Sequence, residues 1–244
     1  MLPENFPVLV GHRGFSARFP ENTLLSFQKA IECGINQIEC DVHLTRDQQV
    51  VVIHDETLER TTNGRGQVSD FSVRELKKLD AGQGQSIPTL DELLTWAKQD
   101  SLIQVMIEIK SDPNSKGKIE EHVAELISRH HVLHQTRVIS FDHALLSRLR
   151  LIDPAITIGT LFERVPQENY AQLIQVALDL KADSIWPAAD QVDIRLVEMA
   201  HQSQLKVITW TVNDPVLLKK VAFAKVDGVV TDNPERIKSE LSKI

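Results

Sequence analysis

Short β-branched runs alternate with longer amphipathic segments along almost the whole chain, and no other feature of the sequence limits the fold as tightly. Apolar runs at 8–11, 37–42, 104–109, 136–140, 157–161, 183–186, 206–210 and 226–230 are predicted strands. Between them lie apolar stripes at helical spacing, such as Leu24, Phe27 and Ile31, then Val123, Leu126 and Ile127, then Leu173, Ile174 and Ala177. Strands that are each covered by the helix that follows build a parallel α/β sheet. Eight of them are the number that closes a (β/α)8 TIM-type barrel, which is the fold class expected here.

Two stretches break the repeat. The apolar run at 50–53 follows the second strand after Thr45-Arg46-Asp47, too short a link for a helical crossover, so it is expected to return as an antiparallel hairpin outside the barrel count. The stretch 55–86 is rich in Thr, Asn, Gly and Gln, with one short helix predicted at 73–79. It reads as an insertion after the second strand, laid over the barrel mouth as binding loops are. There is no low-complexity tract or linker, so residues 1–244 are expected to form a single domain.

Composition narrows the classes of function. A formal net charge of -7 gives no general attraction to nucleic acid or to anionic lipid, so an anionic ligand would need a local cluster of positive groups or a bound cation. Cys33 and Cys40 are too few for a disulfide framework and match no paired-thiolate zinc spacing. The first residues carry no positive segment followed by an apolar one, and no apolar run approaches the ~20 residues needed to span a bilayer. A cytoplasmic location is the expectation, as a monomer or homodimer without stable membrane insertion.

In a barrel of this type the site lies where the strands end. The first strand ends in Gly11-His12-Arg13-Gly14, the second carries Glu39 and Asp41, the hairpin returns to His54-Asp55, and the third barrel strand carries Glu108 and Lys110. Strand side chains alternate, so Glu39 and Asp41 share a face, as do Glu108 and Lys110. Carboxylates on adjacent strands repel, and a hard divalent cation held by oxygen ligands keeps them ionised. Glu39, Asp41 and Glu108 are therefore candidate ligands for one Mg²⁺ or Ca²⁺, the bland alternative being ion pairs with Lys110 or Arg13. His12 and His54 can divide acid and base roles near neutrality. Arg13 offers a fork for two phosphate oxygens and Lys110 a point charge. Together these groups describe phosphoryl chemistry.

At these residues the chain resembles the glycerophosphodiester phosphodiesterases of the phospholipase-C-like barrel superfamily, nearest to the small cytoplasmic bacterial members. The matching stretches are His12-Arg13-Gly14 with Pro20-Glu21-Asn22-Thr23, Glu39-Cys40-Asp41, His54-Asp55 running into Leu58-Glu59-Arg60-Thr61-Thr62-Asn63-Gly64, Glu108-Ile109-Lys110, Ser140-Phe141, Trp210-Thr211-Val212-Asn213 and Thr231-Asp232. The resemblance implies metal-dependent hydrolysis of glycerophosphodiesters, such as glycerophosphocholine and glycerophosphoethanolamine, to glycerol 3-phosphate and an alcohol. It implies His12 and His54 as the acid/base pair, Glu39, Asp41 and Glu108 on the cation, Arg13 and Lys110 on phosphate, and Trp210 against glycerol. Phe141 joins the substrate-binding set. Two departures, Gln48-Gln49 in place of a glycine after Asp47 and Cys40 in place of a larger apolar residue, bear on the hairpin that carries His54.

Three other functions are consistent with some of these residues: a lysophospholipase D-like phosphodiesterase, a non-catalytic phosphodiester-binding protein, and a Schiff-base aldolase using Lys110. Among the remaining candidates, Asn22 or Thr23 is expected to cap a helix, and Asn213 to cap the segment that starts at Pro215 or, second, to hydrogen-bond a substrate hydroxyl. Trp186 is expected in the pocket or at the barrel rim, Trp96 in the core, and His43 on the face away from Asp41. His130, His131 and His134 are expected at a helix end.

Overall fold

The computed structural model describes residues 7–111, 118–164 and 166–243. Its nine strands are β1 (Val8–Gly11), β2 (Gln37–Leu44), β3 (Val50–Val52), β4 (Gln104–Ile109), β5 (Thr136–Ser140), β6 (Ile158–Phe162), β7 (Ser184–Pro187), β8 (Lys206–Thr209) and β9 (Gly228–Thr231). Eight run parallel in the order β1-β9-β8-β7-β6-β5-β4-β2, and a β1–β2 pairing closes them into a barrel. β3 pairs antiparallel with β2 and lies outside the ring. The (β/α)8 barrel and the hairpin are thus as expected, with strand ends displaced by one or two residues.

The helices are α1 (Leu24–Glu32), α2 (Val73–Leu76), α3 (Leu90–Ala97), α4 (Ile119–His130), α5 (His143–Ile152), α6 (Tyr170–Asp179), α7 (Ile194–Gln202), α8 (Pro215–Phe223) and α9 (Pro234–Leu241). Their starts are written in the sequence: Thr23, Thr89, Asp142, Asp193, Asp214 and Asn233 each accept a backbone N–H of the first turn. The cap of α1 is therefore Thr23 rather than Asn22, and that of α8 is Asp214 rather than Asn213. The predicted helix at 73–79 is shorter, because α2 ends at Leu76.

The apolar core has three parts. The largest fills the space between the barrel and its outer helices, with Phe27, Ile38, Cys40 and Leu146 fully buried. Inside the barrel, seven strands each contribute one side chain to a compact cluster: Val10, Met106, Ile139, Leu161, Trp186, Ile208 and Val230. The eighth, β2, places Glu39 beside Met106 in the register, so one carboxylate completes an otherwise apolar layer. The third part joins β3 to the segment that follows it, where Val51, Ile53, Leu58, Val68, Leu76, Ala81 and Ile87 pack together.

The hairpin turn forms without its glycine. Gln48 takes the left-handed conformation at φ 59, and Thr45 N–H donates to Gln49 O at 2.9 Å. Cys40 is wholly buried in the outer core. Neither departure disturbs the pairing of Val42 with Val52.

Gly159 lies where the barrel has no room. A Cβ there would stand 2.8 Å from Ser184 Oγ, the group that holds Trp186 Nε1. Gly159→Ala is expected to cost ~1–3 kcal/mol by overpacking and to lower the melting midpoint by ~2–12 °C, which calorimetry measures.

Candidate active site

The strand alternation of β2 and β4 brings Glu39, Asp41 and Glu108 to the C-terminal mouth of the barrel. The β2–β4 register sets Asp41 directly beside Glu108. The three are 2%, 0% and 8% exposed, so each carboxylate has left water. One oxygen from each lies within 4.8 Å of the others.

Cations surround only part of this set. Lys110 Nζ sits 2.8 Å from Asp41 Oδ1 and also bonds Glu108 Oε1. Arg13 Nε stands 3.3 Å from Asp41 Oδ2, and its Nη1 donates to Glu21 at 2.8 Å. Burial by itself would raise the pKa of Asp41, but Lys110 and Arg13 outweigh it and hold the group well below the ordinary range. Glu39 goes the other way, pushed up to about 8 by burial and by the charge of Asp41. Glu108 is raised for the same two reasons. Glu39 Oε2 accepts the backbone N–H of Arg13 at 3.0 Å, while its Oε1 is buried and accepts no hydrogen bond. A converging set of hard oxygens with an unused buried acceptor fits a divalent cation.

Lys110 is not a nucleophile in this setting. Burial would lower its pKa, but Asp41 and Glu108 outweigh that and raise it, so the amine stays protonated. A Schiff-base function requires the opposite shift.

The two histidines face the mouth from different supports. His12, just after β1, has Nδ1 2.5 Å from Asp232 Oδ1, at the exit of β9. Asp232 is itself held by Ser16 Oγ at 3.1 Å and by Asn213 Nδ2 at 2.5 Å, and its N–H donates to Asn213 Oδ1. Burial works against the charged imidazole of His12, yet the bond to Asp232 and the charge of Glu39 raise its pKa. His54, just after β3, has Nδ1 2.6 Å from Asp55 Oδ1. Burial, with Lys110 and Arg13 nearby, lowers its pKa despite Asp41 and Asp55.

These groups line one side of a cavity of about 340 Å³. The other side is apolar, formed by Ile139, Phe141, Leu161, Trp186 and Trp210. Phe141 and Trp210 meet edge to face with ring centroids 5.5 Å apart, and Trp210 Nε1 donates to Trp186 O at 2.9 Å, which fixes the indole. Trp186 is fully buried and belongs both to the barrel interior and to the pocket floor.

All nine expected site residues, His12, Arg13, Glu39, Asp41, His54, Glu108, Lys110, Phe141 and Trp210, converge on this mouth. Sequence reasoning missed the residues behind them. Asp232 and Asp55 orient the histidines, and Asn213 holds Asp232 instead of capping α8. Glu21 and Asn22 hold Arg13 and Asp41. The expectation for His43 was also misplaced: it follows Asp41 by two positions, which puts the two on one side of the strand. His43 is buried, with Nε2 2.9 Å from His54 O, and so supports the catalytic candidate next door. The available signals were adjacency for Asp55 and a strand-end position for Asp232. Trp96 is half-buried against the outer core, and His130 ends α4, as expected. No helix among the described residues is long and apolar enough to cross a membrane.

Residues 12–236 match the model of the glycerophosphoryl diester phosphodiesterase family. A glycerophosphodiester phosphodiesterase of Caldanaerobacter subterraneus subsp. tengcongensis is 37% identical over 237 residues, covering 94% of this chain and 96% of the relative. One of Bacillus altitudinis is 34% identical over 235 residues, covering 93% and 95%. Among solved structures, an Oleispira antarctica phosphodiesterase in complex with the product sn-glycerol-3-phosphate superposes with a TM-score of 0.88 at 28% identity, over 97% of each chain. A glycerophosphodiester phosphodiesterase of Thermotoga maritima gives 0.77 at 29%, over 96% of this chain and 97% of that one.

Asn22 is the support whose chemistry is hardest to replace. It is buried in the left-handed conformation at φ 56, donates from Nδ2 to Asp41 Oδ2 at 2.8 Å, and accepts from Asp41 N–H at 3.3 Å. Few residues other than glycine tolerate that backbone as asparagine does. Asn22→Ala is expected to destabilise the fold by ~1–3 kcal/mol through the unpaired Asp41 groups, read as a lower urea midpoint at unchanged m value.

Proposed function

The chain belongs to the glycerophosphoryl diester phosphodiesterase family, and from that premise we propose that it hydrolyses small glycerophosphodiesters to glycerol 3-phosphate and a free alcohol. Glycerophosphocholine and glycerophosphoethanolamine are the substrates expected of a cavity of about 340 Å³, at the small end of the ~300–1,000 Å³ range of ligand pockets. The observation that carries the reading is the buried trio Glu39, Asp41 and Glu108, with its unused acceptor, set between two histidines that have their own carboxylates. The enzyme is proposed to act as one domain, residues 1–244, with the insertion at 55–86 supporting His54.

Glu39, Asp41 and Glu108 would hold one Mg²⁺ or Ca²⁺, and the bound cation supplies positive charge that polarises a phosphoryl oxygen. Arg13 and Lys110 offset charge on the remaining nonbridging oxygens. Phe141 and Trp210 give the glycerol carbons an apolar wall. Two imidazoles with pKa values driven apart can divide the proton work. His54, biased toward the neutral form, takes a proton from the attacking group as its oxygen bonds to phosphorus, that group being water or, in a first step, the neighbouring glycerol hydroxyl, whose cyclic phosphate water then opens. His12, biased toward the protonated form, gives its proton to the departing alkoxide as the second phosphorus–oxygen bond breaks. Asp232 is not one of the three carboxylates that would hold the cation, so its hydrogen bond to His12 would persist with a cation bound at Glu39.

The direct test is release of glycerol 3-phosphate from glycerophosphocholine with Mg²⁺ or Ca²⁺ added, and with EDTA as control. Metal-dependent release is expected, and Glu39→Gln, Asp41→Asn and Glu108→Gln are each expected to lose about a thousandfold. Near-normal turnover in all three would refute the site.

The pH dependence follows from the two opposed shifts. Activity should rise with pH as His54 loses its proton below ~6.5, and fall as His12 loses its own above ~6.5, giving a bell-shaped kcat/KM. Asp232→Asn removes the charge that raises His12, so the alkaline limb should move to lower pH while the acid limb stays. An alkaline limb unmoved in that variant would take the acid role from His12.

A further inference from the structure

Arg60 stands in the insertion, outside the cavity lining, and no step of the chemistry uses it. Its guanidinium nevertheless makes two forked pairs. Nε and Nη2 donate to Asp55 at 2.6 and 2.9 Å, and Nη1 and Nη2 donate to Glu21 at 2.8 Å each. Each carboxylate is shared with the site: Asp55 Oδ1 also holds His54 Nδ1, and Glu21 Oε1 also holds Arg13 Nη1. We propose that Arg60 is a positioning residue that ties Asp55 to Glu21 and so sets His54 and Arg13 at a fixed separation on the charged side of the mouth. This rests on the reading that His54 and Arg13 act on the phosphodiester.

The topology explains why a tie is useful. Arg13 leaves the barrel after β1 and His54 leaves the hairpin after β3, and β1 and β3 are not paired with each other: β1 pairs with the start of β2 at Gln37 and Ile38 and β3 with its end at Val42 to Leu44, on the edge of β2 opposite β4, which leaves a gap between them. The chain Arg13–Glu21–Arg60–Asp55–His54 joins the two exits on the outside of that gap. A planar fork holds two carboxylates in defined orientation, which a lysine ammonium cannot do. Arg60 is 46% exposed, and an exposed ion pair contributes little to stability, so holding these two carboxylates in place is the effect left to it.

The same contacts determine what its loss would do to His54. The charged groups facing that imidazole are Asp41 from β2, Lys110 from the end of β4, Arg13 from the end of β1, and Asp55 beside it. Arg60 draws on the Asp55 carboxylate and helps keep it strongly acidic. Without Arg60, the Asp55 charge is left to His54 and a nearby positive charge disappears, and both changes favour the imidazolium.

The experiment uses the full chain with Arg60→Lys and Arg60→Gln. The His54 ring is titrated by NMR, assigned by its absence in His54→Asn, and kcat/KM for glycerophosphocholine is followed against pH. The clamp predicts that His54 titrates at higher pH in Arg60→Gln, and by a smaller step in Arg60→Lys, which loses the fork but keeps the charge, that the acid limb of the rate profile moves with it, and that the plateau falls by about 10–100-fold in both, as when outer partners of functional ligands are removed. The melting midpoint should stay close to that of the parent. An unmoved His54 titration overturns the proposal, as does an activity loss that is uniform in pH and follows the fraction unfolded. If the parent releases no glycerol 3-phosphate while His54 still shifts, the substrate reading fails and the clamp stands.

Discussion

Everything at the mouth of this barrel answers to one burial. Inside the ring, seven strands supply apolar side chains and β2 supplies Glu39, with Asp41 one turn of the pleat above it and Glu108 beside Asp41. Three carboxylates so close and so dry cannot all carry charge without compensation. Lys110 and Arg13 compensate Asp41 first, and Asn22 adds hydrogen bonds to both its backbone and side chain. What is left over falls on Glu39, which is held near neutrality with one oxygen unused. The protein alone is therefore short of positive charge at one definite place. That imbalance would serve no purpose in a scaffold, and it is the reason the loops after β1 and β4 carry the residues they do.

The cavity divides along the order of the strands. Around the ring, β9, β1, β2 and β4 are consecutive, and they end in Asp232, His12 and Arg13, Glu39 and Asp41, and Glu108 and Lys110. The other half, β5 to β8, ends in Phe141, Leu161, Trp186 and Trp210. Charge and apolar surface are thus segregated into two half-barrels, facing each other across one opening. A ligand with a phosphate at one end and carbon at the other is oriented by that division before any specific hydrogen bond forms. Glu163 is the one carboxylate lining the apolar half.

Much of this was legible because strands report their own facing. Alternation within β2 and β4, and the rule that barrel sites gather at strand ends, suffice to collect Glu39, Asp41, Glu108, Lys110, His12 and His54. The hairpin was equally readable from a link too short for a crossover. The supports were not, because each pairs residues far apart in sequence: Asp232 meets His12 only when β9 closes on β1, and Arg60 meets Glu21 only when the insertion folds back. Local rules left Asn22 level with Thr23 and misplaced Asn213 for a related reason. Both sit one residue before a helix cap and are good capping residues, yet a carboxylate competes for their amides and holds them, the buried Asp41 for Asn22 and the half-buried Asp232 for Asn213. His43 was misread against the alternation rule itself.

The unequal standing of the two histidines follows from the same geography. His12 is fixed by the barrel frame: Asp232 is at the exit of β9, and Ser16 and Asn213 leave it little freedom. His54 is fixed by additions to that frame, namely the hairpin, the small core around Leu58, Val68 and Leu76, and the shared carboxylate of Asp55. Burial acts on both imidazoles, but only His12 has a carboxylate not shared with an arginine. The pKa values diverge because Asp232 and Glu39 outweigh burial at His12, while at His54 Lys110 and Arg13 join burial and outweigh Asp41 and an Asp55 that Arg60 also engages. One barrel thereby sets an imidazole that keeps its proton against one that gives it up, using two aspartates of identical chemistry and different company.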